Sequence, residues 1–149
     1  MTEDMNARLA RWLQGHEAAV DFALTWWTVC QEWDDLHDEG RCEDANLLLQ
    51  WLAFDCDRHP WMQLVGPLMK PVLDAAVTSW IAANALDMGD RNDVSKSYVL
   101  RAWPIYGVWS HMARLIGGPK WAAEVAPEIW RSYGETAEGL WKEMQCRDQ

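Results

Sequence analysis

Three aspartates stand close together in the chain: Asp34, Asp35 and Asp38. On a helix, Asp34 and Asp38 lie one turn apart, so their carboxylates meet on the same face. Like charges at this spacing repel, and the cluster therefore needs a bound cation, a raised pKa or open water. Carboxylate oxygens bind Mg²⁺, which often bridges to the phosphates of a substrate. If a cation neutralises the cluster, we expect a magnesium site for a phosphate or diphosphate ligand, in which the metal stabilises charge on the leaving phosphate.

A later predicted helix supplies a second set of candidates. Trp80, Asn84 and Asp87 share one of its faces, and if the two helices are neighbours, Asp87 (or Asp90) completes the set of metal ligands. We expect Trp80 and Asn84 to line the ligand site. The cations expected to bind the phosphate are Arg91 and Arg101, with Lys96 and Arg58 as further candidates.

The helix that carries the three aspartates has a continuous apolar stripe. At 100° per residue, Val20, Ala23, Trp27 and Cys30 follow one line, and Asp34 and Asp38 continue it. Because a buried carboxylate is costly unless it is paired or bound to metal, this arrangement predicts a pocket at the end of the helix. In the alternative interpretation, the aspartates cap the next segment or pair with an arginine, for which the candidates are Arg41, Arg58 and Arg101.

Composition limits the classes of partner. The chain has 149 residues, half of them hydrophobic, which suits a single domain over residues 1–149. With 13 Lys+Arg against 23 Asp+Glu, the net charge is −10, which argues against direct nucleic-acid binding because phosphate contacts need basic groups. No run of about 18 apolar residues is present, and the first residues are acidic, so we expect neither a membrane span nor a signal peptide but a cytoplasmic product.

The pattern of residues is helical almost throughout. Ala, Leu, Trp and Glu are common, and alternating apolar runs are absent. These features predict an all-α fold: a single compact, bundle-like domain of six to eight helices. The expected helices span residues 2–14, 16–39, 43–57, 66–88, 93–116 with a kink at Pro104, 120–125, 127–133 and 136–146.

Tryptophan and cysteine add two minor hypotheses. The chain has 12 Trp, which we expect to fill core positions, with some at the edge of the core or at an interface because the indole N–H needs a partner. Cys56 and His59 have a metal-type spacing, with Cys42 upstream, although a closed zinc site requires four ligands.

Three known classes of protein share local features with this chain. Asp34, Asp35 and Asp38 resemble the aspartate-rich motif of the all-helical isoprenoid synthases, in which the carboxylates bind the magnesium ions that hold a diphosphate. The second motif of that class is not met by Asn92-Asp93-Val94-Ser95, and the chain is much shorter, so only the local chemistry is carried over. Two weaker likenesses are to all-helical nucleotide pyrophosphohydrolases, through Glu17, Asp21, Glu32 and Asp35, and to His-Asp metal phosphohydrolases, through His37 and Asp38.

A longer resemblance runs from about His16 to Met144. It rests on residues 33–38, Trp80-Ile81-Ala82-Ala83, Val99-Leu100-Arg101, Ile116-Gly117-Gly118 and Val125-Ala126-Pro127-Glu128-Ile129. In order and spacing these segments resemble a family of small uncharacterised proteins of tailed bacteriophages. The resemblance implies a phage or prophage origin and an all-helical domain, but no activity. Members of that family usually have an aliphatic residue in place of His37, which argues against a catalytic histidine.

Two functions are therefore expected from the sequence. The first is a magnesium-dependent helical protein that binds or processes a phosphate compound. The second is a non-enzymatic phage protein, either a virion component or an inhibitor of a host protein, which acts by contact through its acidic, Trp-rich surface. The corresponding locations are the cytoplasm of the host cell and the virion.

Overall fold

The described part of the chain consists of helices joined by short turns. The structure, a computed structural model, describes the backbone of residues 2–40 and 45–147 and their side chains except those of residues 2–4. Within these ranges there is no strand, which confirms the predicted all-α class. The helices are α1 (Thr2–Trp12), α2 (Glu17–Glu39), α3 (Ala45–Gln50), a first π-turn (Trp51–Asp55), α4 (Cys56–Arg58), α5 (Pro60–Leu86), α6 (Arg91–Ala102), a second π-turn (Trp103–Gly107), α7 (Val108–Arg131) and α8 (Ala137–Arg147).

Helix α2 begins and ends almost where the sequence predicts. The side chain of His16 accepts a hydrogen bond from the backbone N–H of Ala19 and caps the start. Gly40 ends the helix with φ at 67°, a left-handed conformation that glycine adopts without steric cost. The face between these caps buries Phe22 and Trp26, so the helix is held at the centre of the molecule with its acidic end fixed in position.

Helix α5 begins earlier than the sequence indicates. It starts at Pro60 rather than at Gly66, because His59 caps it by accepting the N–H of Trp61. The predicted boundary is nevertheless visible, since Val65 leaves helical geometry with φ at −133° immediately before Gly66 and Pro67. A proline disfavours helical backbone in the residues before it and removes one N–H donor, which accounts for the kink.

The long stretch from α6 to α7 is interrupted twice. At the predicted Pro104 kink, the chain forms the second π-turn, and the carbonyl of Pro104 accepts the indole N–H of Trp26 at 2.6 Å. At Gly118 the backbone adopts φ 82° and changes direction before Pro119. The expected short helices after this point belong to α7.

Buried side chains form one large cluster and one small one. The large cluster joins α1, α2, α5, the second π-turn and α7, and its fully buried members include Leu9, Leu13, Phe22, Met69, Trp109 and Met112. The small cluster contains Val94, Leu140 and Met144 and attaches α8 to α6. Tryptophan occupies core positions as expected, and the N–H of Trp109 donates to the carbonyl of Ala23 at 3.2 Å. None of the described helices has the length and apolarity that a membrane span requires.

Candidate functional site

A cavity of about 450 Å³ opens beside the end of α2, and we call it the acidic cavity. It lies between α2, α5, the end of α6, the second π-turn, the segment from Ser132 to Glu135, and α8. Four carboxylates and two guanidinium groups line it: Asp34, Asp38, Glu135, Glu143, Arg101 and Arg147. Since the carboxylates outnumber the guanidinium groups by two, the lining as a whole favours a cationic occupant.

Asp34 lies in the wall of this cavity and faces Arg101. The carboxylate oxygen is 3.4 Å from a guanidinium nitrogen of Arg101. Burial raises the pKa of Asp34, the charge of Asp38 raises it further, and Arg101 opposes the rise. The predicted inward orientation of Asp34 is therefore present, together with the predicted arginine partner.

Arg101 is held in place from behind by Asp87. Its guanidinium donates to the Asp87 carboxylate, which also accepts the hydroxyl of Ser97. The side chains of Asp87 and Arg101 are 9% and 15% exposed, so this ion pair is largely desolvated. Asp87 therefore supports an arginine of the cavity and does not itself line the cavity.

Asp38 is paired with a residue at the other end of the chain. Its carboxylate accepts a hydrogen bond of 2.9 Å from Arg147, which also donates to Glu143 at 2.8 Å. Burial lowers the pKa of Arg147, but the charges and hydrogen bonds of Asp38 and Glu143 outweigh this effect and raise the pKa above its ordinary value. Arg147 is thus a firmly charged group at the mouth of the acidic cavity.

Aromatic rings complete the walls. Trp27, Trp80, Tyr106 and Tyr133 line the acidic cavity beside the charged groups. Tyr106 and Tyr133 are in contact, with their ring centroids 5.1 Å apart, and burial raises the pKa of both phenols. The cavity thus offers apolar surface for the organic part of a ligand and charged groups for its polar part.

The remaining predicted site residues lie elsewhere. Asp35 is exposed and is not part of the cavity wall. Arg91 pairs with Glu138 on α8, and Asn84 lines a separate groove. The structure therefore brings together Asp34, Asp38, Arg101 and Trp80, with Asp87 bound to Arg101 behind the cavity wall. Asp35, Arg91 and Asn84 lie apart from them.

The separate groove is mostly apolar, measures about 310 Å³ and lies on the other side of Trp80, which lines both spaces. We call it the apolar groove. Its walls come from α2, the first π-turn and α5: Trp26, Val29, Cys30, Trp33, His37, Leu52, Ala76, Val77, Trp80, Ile81 and Asn84. Burial raises the pKa of the Cys30 thiol, which accordingly stays protonated and unreactive.

Two minor interpretations are not supported by the geometry. Both ring nitrogens of His59 already have partners, because Nδ1 accepts the N–H of Trp61 and Nε2 lies 2.7 Å from the Asp21 carboxylate. A zinc site with Cys56 would need one of these nitrogens, and Cys42 lies outside the described residues. His37 lines the apolar groove whereas Asp38 lines the acidic cavity, so the two do not form a dyad.

Sequence reasoning did not identify the residues that α8 and the turn before it contribute. Glu135, Glu143 and Arg147 enter the cavity from more than 90 residues beyond Asp38, and no motif connects the two segments. The only local signal is the spacing of Glu143 and Arg147, one helical turn apart, which places both charges on one face of α8.

Within residues 5–40 and 45–147, no group of three or more His, Cys, Asp or Glu side chains has the geometry to hold a metal ion. The metal prediction therefore stays a prediction. Comparison of the chain with family models, with curated proteins and with solved structures gives no match. The phage resemblance likewise stays a prediction.

Proposed function

We propose that the acidic cavity binds Mg²⁺ together with a phosphate-bearing small molecule. The observation that supports this proposal is the meeting of Asp34, Asp38, Arg101 and Arg147 in one cavity. Carboxylates for a hard cation and guanidinium groups for phosphate oxygens are the two kinds of group that such a ligand requires.

The charge of the lining explains why cation and phosphate belong together. Because four carboxylates face two guanidinium groups, a bare phosphate meets net repulsion, and a divalent cation removes the excess of two negative charges. Mg²⁺ commonly uses only one or two protein carboxylates and completes its shell with water and substrate phosphate. Asp34 and Asp38 supply that number, so this type of site requires no further protein carboxylate.

The two arginines are expected to behave differently on binding. Arg101 is fixed by the buried carboxylate of Asp87 and serves as a rigid phosphate ligand. Arg147 is 44% exposed and is bound to Asp38 and Glu143, so it can exchange Asp38 for a phosphate oxygen when a metal takes over that carboxylate. Metal bound to Asp38 frees Arg147 for the phosphate, and phosphate bound to Arg147 frees Asp38 for the metal. Binding of either one therefore increases the affinity for the other.

The test is calorimetric titration of pyrophosphate into the protein with and without Mg²⁺. We expect Mg²⁺ to tighten pyrophosphate binding by about tenfold or more, a coupling of roughly 1.4 kcal/mol. Asp34→Asn combined with Asp38→Asn removes this coupling. Asp35→Asn is the control for each single substitution, because it likewise removes one charge from the same helix but lies outside the cavity wall. Equal pyrophosphate affinity with and without the metal contradicts the proposal.

The biological setting is part of the same proposal. From the resemblance to small phage proteins, we propose that the protein works in the cytoplasm of an infected host cell or in the virion. Mass spectrometry of purified virions and of infected cells separates these two locations. Recovery from neither source contradicts this part of the proposal without affecting the cavity.

A further inference from the structure

The apolar groove has large hydrophobic side chains on its open rim. Trp33 on α2, Leu52 on the first π-turn, and Val77 and Ile81 on α5 all line the groove and are exposed. Isolated exposed apolar residues are ordinary, but a contiguous set around a concave space marks a contact surface. The three elements thus form a docking groove between two helices, distinct from the acidic cavity.

The surroundings of the groove are acidic. The chain has a net charge of −10, and helix α2 contains no Lys or Arg. On α5, the part from Pro71 to Leu86 contains one charged residue, the exposed Asp74, which lies one turn before Val77. The field around the groove is therefore negative, and it favours a partner with basic residues beside its apolar face.

We propose that the apolar groove binds an amphipathic helix of another protein, with apolar side chains in the groove and Lys or Arg residues along its edges. A groove between two helices accepts a third helix through apolar residues spaced at i, i+3, i+4 and i+7. Val77 and Ile81 are themselves one turn apart, which matches this spacing. The proposal concerns the groove alone and does not depend on ligand binding in the acidic cavity.

A second copy of this chain is a poorer occupant for electrostatic reasons. Association of two such grooves brings together two chains that each have a net charge of −10. Like charges across an interface oppose association, whereas a basic helix gains from the same field. The charge distribution therefore selects a partner different from this chain.

A designed helical peptide serves as the probe. It carries Leu at the four apolar positions and Lys elsewhere, with a fluorescent label, and its twin has Glu in place of every Lys. Binding to the full chain is measured by anisotropy in low and in moderate salt. We expect the Lys peptide to bind about tenfold or more tightly than the Glu peptide, with an affinity that falls as salt increases.

Substitution separates groove binding from general attraction to an acidic protein. Ile81→Ser leaves every charge unchanged but removes an apolar side chain from the groove rim, and we expect it to weaken Lys-peptide binding by about tenfold. Leu64→Ser is the matched control, because Leu64 is 64% exposed and Ile81 65%, on the same helix, but Leu64 lies outside the groove.

Three outcomes overturn the proposal. The first is equal binding of the Lys peptide to the Ile81→Ser and Leu64→Ser variants, and the second is equal binding of the Lys and Glu peptides. The third is a dimer in sedimentation velocity that Ile81→Ser dissociates, because a second copy then occupies the groove. Selective loss of Lys-peptide binding in Ile81→Ser, by a protein that sediments as a monomer, supports it.

Discussion

The acidic cavity and the apolar groove lie on opposite sides of Trp80, and they differ in whether their side chains already have partners within the protein. In the cavity, Asp34 and Asp38 each face an arginine of the same chain, so its charges are partly neutralised within the molecule. In the groove, Val77 and Ile81 remain exposed to water. Ligand binding in the cavity therefore replaces existing ion pairs. Binding in the groove instead covers apolar side chains that are exposed to water in the free protein.

Because of this difference, ligand binding at the two sites should depend on different conditions. Exchange of partners makes binding in the acidic cavity dependent on pH and on a cation, because charged groups must be released from each other. Contact in the apolar groove depends on apolar area and on long-range charge. Substitutions on the two sides of Trp80 should accordingly change different properties of the protein.

The largest expected effect on stability comes from the ion pair of Asp87 and Arg101 behind the acidic cavity. Asp87→Asn leaves the buried guanidinium of Arg101 without its closest carboxylate, with only Asp34 at 3.4 Å. We expect a loss of about 3 kcal/mol in the free energy of unfolding, measured by urea denaturation. Asp35→Asn, on the exposed face of α2, should change this value by about 0.5 kcal/mol or less. An Asp87→Asn protein as stable as wild type contradicts a buried charge pair behind the cavity.

A smaller effect concerns the indole N–H groups of Trp26 and Trp80. Trp26 donates to the carbonyl of Pro104, whereas the Trp80 N–H is buried and has no acceptor among the described residues. Trp26→Phe removes this hydrogen bond, whereas Trp80→Phe removes an N–H that has no described acceptor, and we expect Trp26→Phe to cost about 1 kcal/mol more. Thermal unfolding of the two variants measures the difference, and equal losses contradict the assignment of the Trp80 N–H as unpaired.

A further effect is a pH dependence that comes from Asp34. Its pKa is raised in the folded protein, so its contribution to stability is complete below the unfolded value of about 3.9 and is lost as pH rises through the folded value. The free energy of unfolding of wild type, minus that of Asp34→Asn, should therefore fall as pH rises from about 4. A difference that increases with pH shows instead that the attraction of Arg101 exceeds the cost of burial.

The smallest expected effect is on the rim of the apolar groove. Ile81 is exposed and contributes little to the core, so Ile81→Ser should change the free energy of unfolding by about 0.5 kcal/mol or less. The fully buried Met69, on the same helix, gives the contrast, since Met69→Ala should cost about 2–5 kcal/mol. A large loss of stability in Ile81→Ser would show that Ile81 packs in the core, and it would contradict a role in binding at the groove rim.

The fold was more accessible from the sequence than the site. The ends of α2 follow from His16 and Gly40, which act through local backbone geometry, and the apolar stripe correctly placed Asp34 inward. The predicted start of α5 was wrong, because the cap formed by His59 and the proline at position 60 begin the helix before the glycine and proline at positions 66 and 67. Arg147 could not be found, since its contact with Asp38 depends on the tertiary packing of α8.

The most direct test of the central claim is a crystal structure of the protein soaked with Mn²⁺ and pyrophosphate, because Mn²⁺ replaces Mg²⁺ and gives an anomalous signal. The account predicts a metal peak bound by Asp34 and Asp38, with the pyrophosphate on Arg101 and with Arg147 moved from Asp38 to the ligand. An acidic cavity without an anomalous peak, in which Arg101 and Arg147 still hold Asp34 and Asp38, contradicts it.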